Sequence, residues 1–182
     1  MKESITEKIL LHLYDSIDYG FSYQAKKRLY IDKFFNSSSH NKSDKNKILR
    51  GLDDLKKSNF IIQKEGGNGC VSILLSDKGK LRALNFRFRR LNSGKGKIWD
   101  GKWRMVSFNI PEGRRKGRDA LRYRLKTAGF YKLQESIFIF PYECEKEVRD
   151  FIKLFKMEKY IRFGLLDFVD DGQRIAELFK LI

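Results

Sequence analysis

The chain has 182 residues, enough for one large or two small domains, and its 41% hydrophobic content can support a packed core. No apolar run approaches the ~20 residues that span a bilayer. The opening M-K-E-S-I-T-E-K has no apolar signal segment, so a cytoplasmic protein without membrane association is expected. The formal net charge is +16, with 20 Lys/Arg against 10 Asp/Glu over residues 1–95 and 19 against 13 over 96–182. A basic excess spread over both halves implies a polyanionic partner, most commonly nucleic acid. Cys70 and Cys144 stand far apart and only His12 and His40 accompany them, which argues against a structural zinc site. No metal and no cofactor are expected.

In chain order, Ser4 followed by Glu7 is a capping-box pattern for a helix over 3–19, in which Ile5, Ile9, Leu10, Leu13 and Ile17 recur at helical spacing. Gly20 is its expected stop. A shorter helix is expected over Ser22 to Tyr30, then a polar loop at 36–43 that holds His40. Ser43 is the expected cap of a third helix, Asp44 to Ser58. Ile48, Leu49, Leu52 and Leu55 form its apolar face, and its Lys and Arg residues lie mostly on the other side. Phe60-Ile61-Ile62 and Val71 to Leu75 read as two strands joined by a Gly-rich tip ending in Asn68-Gly69, a hairpin signal. The tip lacks the G-x-x-x-x-G-K-[ST] spacing of a phosphate loop and opens no helix. A further helix is expected over Ser76 to Leu84.

Three helices and then a hairpin are the order of a winged helix-turn-helix, here over residues 1–86, with the third helix as the major-groove reader. Residues 78–104 hold ten Lys/Arg and a single late acid, Asp100. Asn92 to Gly96 within that run has linker composition. Residues 87–98 are accordingly expected to be a basic linker whose cations track phosphates.

The second half reads strand 103–110, helix 114–128 stopped by Gly129, strands 130–133 and 136–141, helix 145–156 and strand 160–169. That βαββαβ order predicts a ferredoxin-like plait over 99–182, so the fold class is α+β. Ala120, Leu121, Leu125 and Ala128 are expected inward on the first helix, and Val148, Phe151, Ile152 and Phe155 on the second. A closing helix within Asp171 to Leu181 is expected to pack Ile175, Leu178 and Phe179. The first strand ends at Asn109, just before Pro111 and a basic helical run, a common location for ligand contact or chemistry.

The run W-D-G-K-W-R-M-V-S-F-N-I-P-E, with K-x-R-D-A-L-R-x-x-L-K-x-x-G-F-Y-x-L-Q-x-S-I-F-I-F-P-Y-x-C after it, resembles two related groups. One is the small CRISPR-associated ferredoxin-fold family, Cas-two. The other is the central domain of PaaX-type transcriptional repressors, which follows an N-terminal winged helix. The resemblance covers residues 97–182 closely and 1–86 more loosely through element order. It implies a repressor that dimerises through the plait on duplex DNA, without the C-terminal domain such repressors carry. In Cas-two nucleases the first strand ends in a metal-holding Asp. Asn109 stands there in this chain, and an amide is a poor Mg²⁺ ligand, so no catalytic residue is expected. Asn109 is instead expected to bond the backbone of the 110–113 turn.

The residues expected on DNA are Lys42, Lys45, Lys47, Arg50, Lys56 and Lys57 from the third helix, and Lys64 and Asn68 from the hairpin. Arg87, Arg89 and Arg90 from the linker and Arg114 and Arg115 from the plait complete the set. The leading expectation is a PaaX-like homodimeric repressor on pseudo-palindromic duplex DNA. Its rivals are a Cas-two-like nuclease or spacer-acquisition scaffold, and a basic RNA-binding module.

Overall fold

The computed structural model describes residues 4–17, 24–25, 42–65, 71–91 and 98–182. The chain divides into two compact units, Met1–Phe86 and Arg87–Ile182.

In the first unit, α1 spans Ile5–Ile17, a two-residue strand β1 spans Gln24–Ala25, and α2 spans Lys42–Lys57. Strands β2 (Ile61–Glu65) and β3 (Val71–Leu75) follow, and then helix α3 (Asp77–Leu91), whose last five residues belong to the second unit. The backbone N–H of Glu7 donates to the Ser4 hydroxyl at 3.2 Å, the expected cap of α1. Helix α1 buries Ile9, Leu10, Leu13 and Tyr14, and α2 buries Ile48, Leu52 and Leu55. They meet at Gly51, where an added Cβ would stand 3.0 Å from Ile9 Cδ1. Helix α2 already includes Lys42 and Ser43, so Ser43 is inside the helix and is not its cap. It ends on Asn59, a non-glycine residue at φ 57°, with Phe60 N–H donating to the Leu55 carbonyl at 2.8 Å.

Strand β3 lies between β1 and β2, antiparallel to both. Most of the helix expected at Ser22–Tyr30 lies outside the described residues. Gln24 and Ala25, which are described, are strand residues paired with Ser72 and Val71, and so they depart from that expectation. Ser76 caps α3: its hydroxyl accepts the Gly79 N–H at 3.0 Å and donates to the Asn59 carbonyl at 2.7 Å. Helix α3 runs on to Leu91, so residues 87–91, expected in a linker, are helical. Leu84, Phe88 and Leu91, at i, i+4 and i+7, are buried and account for the extension.

After the end of α3, the second unit continues with β4 (Trp103–Phe108), a 3-10 turn (Glu112–Arg114) and α4 (Arg115–Thr127). Then come β5 (Tyr131–Gln134), β6 (Ile137–Phe140), α5 (Glu145–Phe155), β7 (Ile161–Leu166) and α6 (Gly172–Leu178). The sheet order is β5-β6-β4-β7 with every neighbouring pair antiparallel. Each strand–helix–strand connection therefore skips one strand, the connectivity expected of a βαββαβ plait. Gly129 at φ 86° stops α4, and Phe130 N–H returns to the Leu125 carbonyl at 3.0 Å.

Because side chains alternate across a strand, β4 feeds two cores. Trp103 and Met105 join Ile139, Val169, Ile175 and Ala176, on the side covered by α6. Val106 and Phe108 point the other way, where Phe108 stacks on Phe138 at 6.0 Å and the Arg122 guanidinium of α4 lies over its ring. Leu121, Leu125, Val148 and Phe151 fill the helix side as expected. Leu178, expected to pack, is 63% exposed, since the last helical turn leaves that position facing solvent.

Candidate nucleic-acid interface

The residues singled out in the sequence fall into two groups, one in each unit. In the first unit, Lys42 and Lys45 lie in the opening turns of α2. Lys47, Arg50, Lys56 and Lys57 are exposed on the same helix, and Lys64 is exposed on β2. Asn68 lies outside the described residues. The buried stripe Ile48, Leu52 and Leu55 fixes which face of α2 points outward. That outward face is not uniformly basic. Asp53 and Asp54 are exposed in its second half, so the positive charge concentrates toward the N-terminal half, around Lys47 and Arg50.

In the second unit, Arg87 departs from expectation. Its guanidinium is 16% exposed and donates to Glu147 at 3.3 Å, so an internal ion pair engages it and it does not face outward. Arg89 and Arg90 are exposed at the end of α3. Arg114 and Arg115 are exposed at the start of α4, each with protein contacts. Arg114 donates to the Lys156 carbonyl at 3.2 Å and lies over the Tyr160 ring at 5.3 Å. Arg115 pairs with Glu112 and Asp119, both at 3.6 Å.

Asn109 is exposed one residue past β4, and its backbone N–H donates to the Tyr160 carbonyl at 2.9 Å. The turn after it closes through backbone alone, Arg114 N–H to the Pro111 carbonyl at 2.9 Å. The expected side-chain bond from Asn109 to that turn is absent among the described residues. Pro111 supplies the reason: its fixed φ of −65° sets the turn without help. Among the described residues no three His, Cys, Asp or Glu side chains gather as metal ligands. No described helix is long and apolar enough to cross a membrane.

The W-D-G-K-W-R run that carries the sequence resemblance forms a clasp. Arg104 is 7% exposed on β4. It forks onto both oxygens of Asp100 at 2.6 and 2.8 Å and donates to the Pro141 carbonyl at 2.9 Å. Gly101 at φ 80° provides the bend between them, and the Trp99 indole N–H closes it onto the Lys102 carbonyl at 2.9 Å. The Arg104 hydrogen bonds hold the Asp100 carboxyl down at about 2. In α1, burial pushes His12 below its ordinary value.

Sequence reasoning places Asp100 and Arg104 in the W-D-G-K-W-R motif but misses the clasp, because the motif's spacing does not show that the two side chains meet. It also passed over Lys156, Lys159 and Arg162, which lie some forty residues along the chain from the α4 cations they adjoin. No curated protein matches the chain. Residues 96–174, under half of the chain, match the family model described as the PaaX protein central Cas2-like domain, which makes this segment similar to the middle domain of PaaX proteins.

Proposed function

We propose that this protein is a DNA-binding transcriptional regulator of the PaaX-like type, a cytoplasmic repressor that works as a homodimer. The observation that carries the reading is the outward basic face of α2, on a helix followed at once by an antiparallel hairpin. A short strand on the far side of β3 supports a winged helix in this unit, since a three-stranded sheet beside the groove-reading helix is how such domains brace it. The match over 96–174 supports the assignment at family level. In this reading Lys47 holds backbone phosphate and Arg50 reads a base edge, because a helix presents its N-terminal half to the groove.

Dimerisation is assigned to the plait. Strand β7 is a sheet edge, with Leu165 55% exposed on it and Phe168 78% exposed just beyond. An edge with exposed apolar side chains gains from pairing. The protein is read as a non-enzyme because Asn109 places a neutral amide where a nuclease of the related fold needs a carboxylate. Fluorescence anisotropy on duplexes with the full chain tests the assignment. Arg50→Ala should cost about 1–3 kcal/mol on the preferred site and little on other sequences. Lys47→Ala should weaken all sequences alike. Unchanged affinity in both variants overturns the role of α2.

A further inference from the structure

Unit 87–182 carries +10 of the net +16, although it holds no groove-reading helix. The register of its sheet explains where that charge goes. Phe108 pairs with Ile161 at one end of β4 and Trp103 with Leu166 at the other. The start of α4 and the segment after α5 therefore share the Phe108 end. Contacts agree: Arg114 bonds the Lys156 carbonyl, and a Cβ on Gly117 would meet the Met157 methyl.

The two ends of the sheet differ in how their charges are matched: at the Trp103 end acids and cations pair, Asp100 and Glu143 with Arg104, Asp167 with Lys102 and Glu145 with Arg149. Asp100, Glu143, Glu145, Asp167 and Asp171 collect at the Trp103 end. Arg114, Lys116, Lys156, Lys159 and Arg162 collect at the Phe108 end, all exposed. Of the acids there, Glu112 is already taken by Arg118 at 2.9 Å and Arg115 at 3.6 Å. Glu158 remains as an exposed counter-charge, so the five cations keep a surplus of about four. Lys116, Lys156 and Lys159 pair with no acid among the described residues. Arg114 is pre-positioned by the Tyr160 ring and the Lys156 carbonyl, and so loses little freedom on taking up an anion.

We propose that the Phe108 end of the plait is a second phosphate-contact surface for duplex DNA, formed by Arg114, Lys116, Lys156, Lys159 and Arg162. It rests on the reading of the protein as DNA-binding, and it adds affinity without adding sequence preference. Three of its cations are lysines on a turn, a helix end and a helix start, point charges suited to backbone phosphates and not to base edges, while Arg114 and Arg162 are held by backbone carbonyls.

The test is a salt titration of the full chain on a long duplex by fluorescence anisotropy. Three proteins are compared: the unaltered chain, Lys156→Ala/Lys159→Ala, and Lys47→Ala/Arg50→Ala. Removing two phosphate contacts should lower the slope of log affinity against log salt by about 2. The affinity lost between 50 and 200 mM KCl then shrinks by about tenfold, while the ranking of duplex sequences stays the same. A slope unchanged in Lys156→Ala/Lys159→Ala, with affinity lost in Lys47→Ala/Arg50→Ala, overturns this surface and leaves the α2 reading standing. No DNA binding by the unaltered chain overturns both. Sedimentation of the double-lysine variant gives a further check. If its sedimentation coefficient shifts in the absence of DNA, the basic end serves contact with a second copy and the proposal is overturned.

Discussion

Arg104 ties the bend before β4 to the end of β6. It is the one buried charged side chain among the described residues, and its partners are Asp100, Lys102, Pro141 and Glu143. Arg104→Ala would leave the Pro141 carbonyl without that donor and open the bend before β4, costing about 2–4 kcal/mol by chemical denaturation. The pH dependence follows from depressed pKa values at His12 and Asp100, and at exposed Glu135, which its hydrogen bond to Lys132 lowers. Burial lowers His12 in the fold, so the stability it allows is full above its unfolded value and is lost as pH drops below about 6.5. Asp100 is held at about 2, so the stability it lends is full above the unfolded carboxyl value and is lost as pH falls from there toward 2. A denaturation series should show both declines, and Asp100→Asn should shrink the lower one. Asn109 gives a third expectation. The unaltered protein should not cleave DNA or RNA with Mg²⁺ or Mn²⁺. Cleavage that co-purifies with the protein and disappears in Asn109→Ala would contradict it. In sequence the resemblance motif pointed toward Asn109, whereas its physical centre is the Asp100–Arg104 fork. Spacing alone does not reveal that an Arg in a strand folds back four residues.

At the scale of elements, apolar periodicity was enough to find α1, α2, α4, α5 and the strands of the plait. Ser4 and Gly129 mark termini because each supplies a bond or a φ that few residues can. Element ends set by tertiary contacts were not legible. Helix α3 runs through Phe88 and Leu91 because those side chains are buried, although N-F-R-F-R-R-L has the charge density of a linker. Strand β1 exists only through its pairing with β3, a long-range bond that two residues, Gln24 and Ala25, cannot advertise. Two helix glycines give opposed expectations. A Cβ on Gly79 collides with the Phe60 carbonyl oxygen, which is backbone and fixed by Ser76. Gly79→Ala should therefore destabilise by about 3 kcal/mol or more. A Cβ on Gly117 meets only the tip of Met157, a flexible side chain. Gly117→Ala should be neutral or stabilise by up to about 1 kcal/mol through helix propensity. Thermal unfolding of the two variants checks both, and equal melting temperatures would contradict the packing described at Gly79.

At the scale of the whole molecule, charge was legible from the first line of the sequence, but its arrangement was not. The uneven matching of charge in the plait arises from antiparallel register, which brings residues 114–116 beside 156–162 and sends 100 and 167–171 to the far end. Dimerisation through the β7 edge predicts a particle of twice 21.6 kDa by light scattering at micromolar concentration. Leu165→Lys together with Phe168→Lys should return it to 21.6 kDa. A monomer in the unaltered chain would contradict the two-fold arrangement. The central claim, that the protein reads duplex sequence through α2, is tested most directly by selecting a randomised duplex pool on the full chain at fixed salt and sequencing what is retained. The account predicts enrichment of one motif, arranged as a pseudo-palindrome, with the enrichment lost in Arg50→Ala. Retention of the pool without any enriched motif would contradict it and would leave only a sequence-blind polyanion binder.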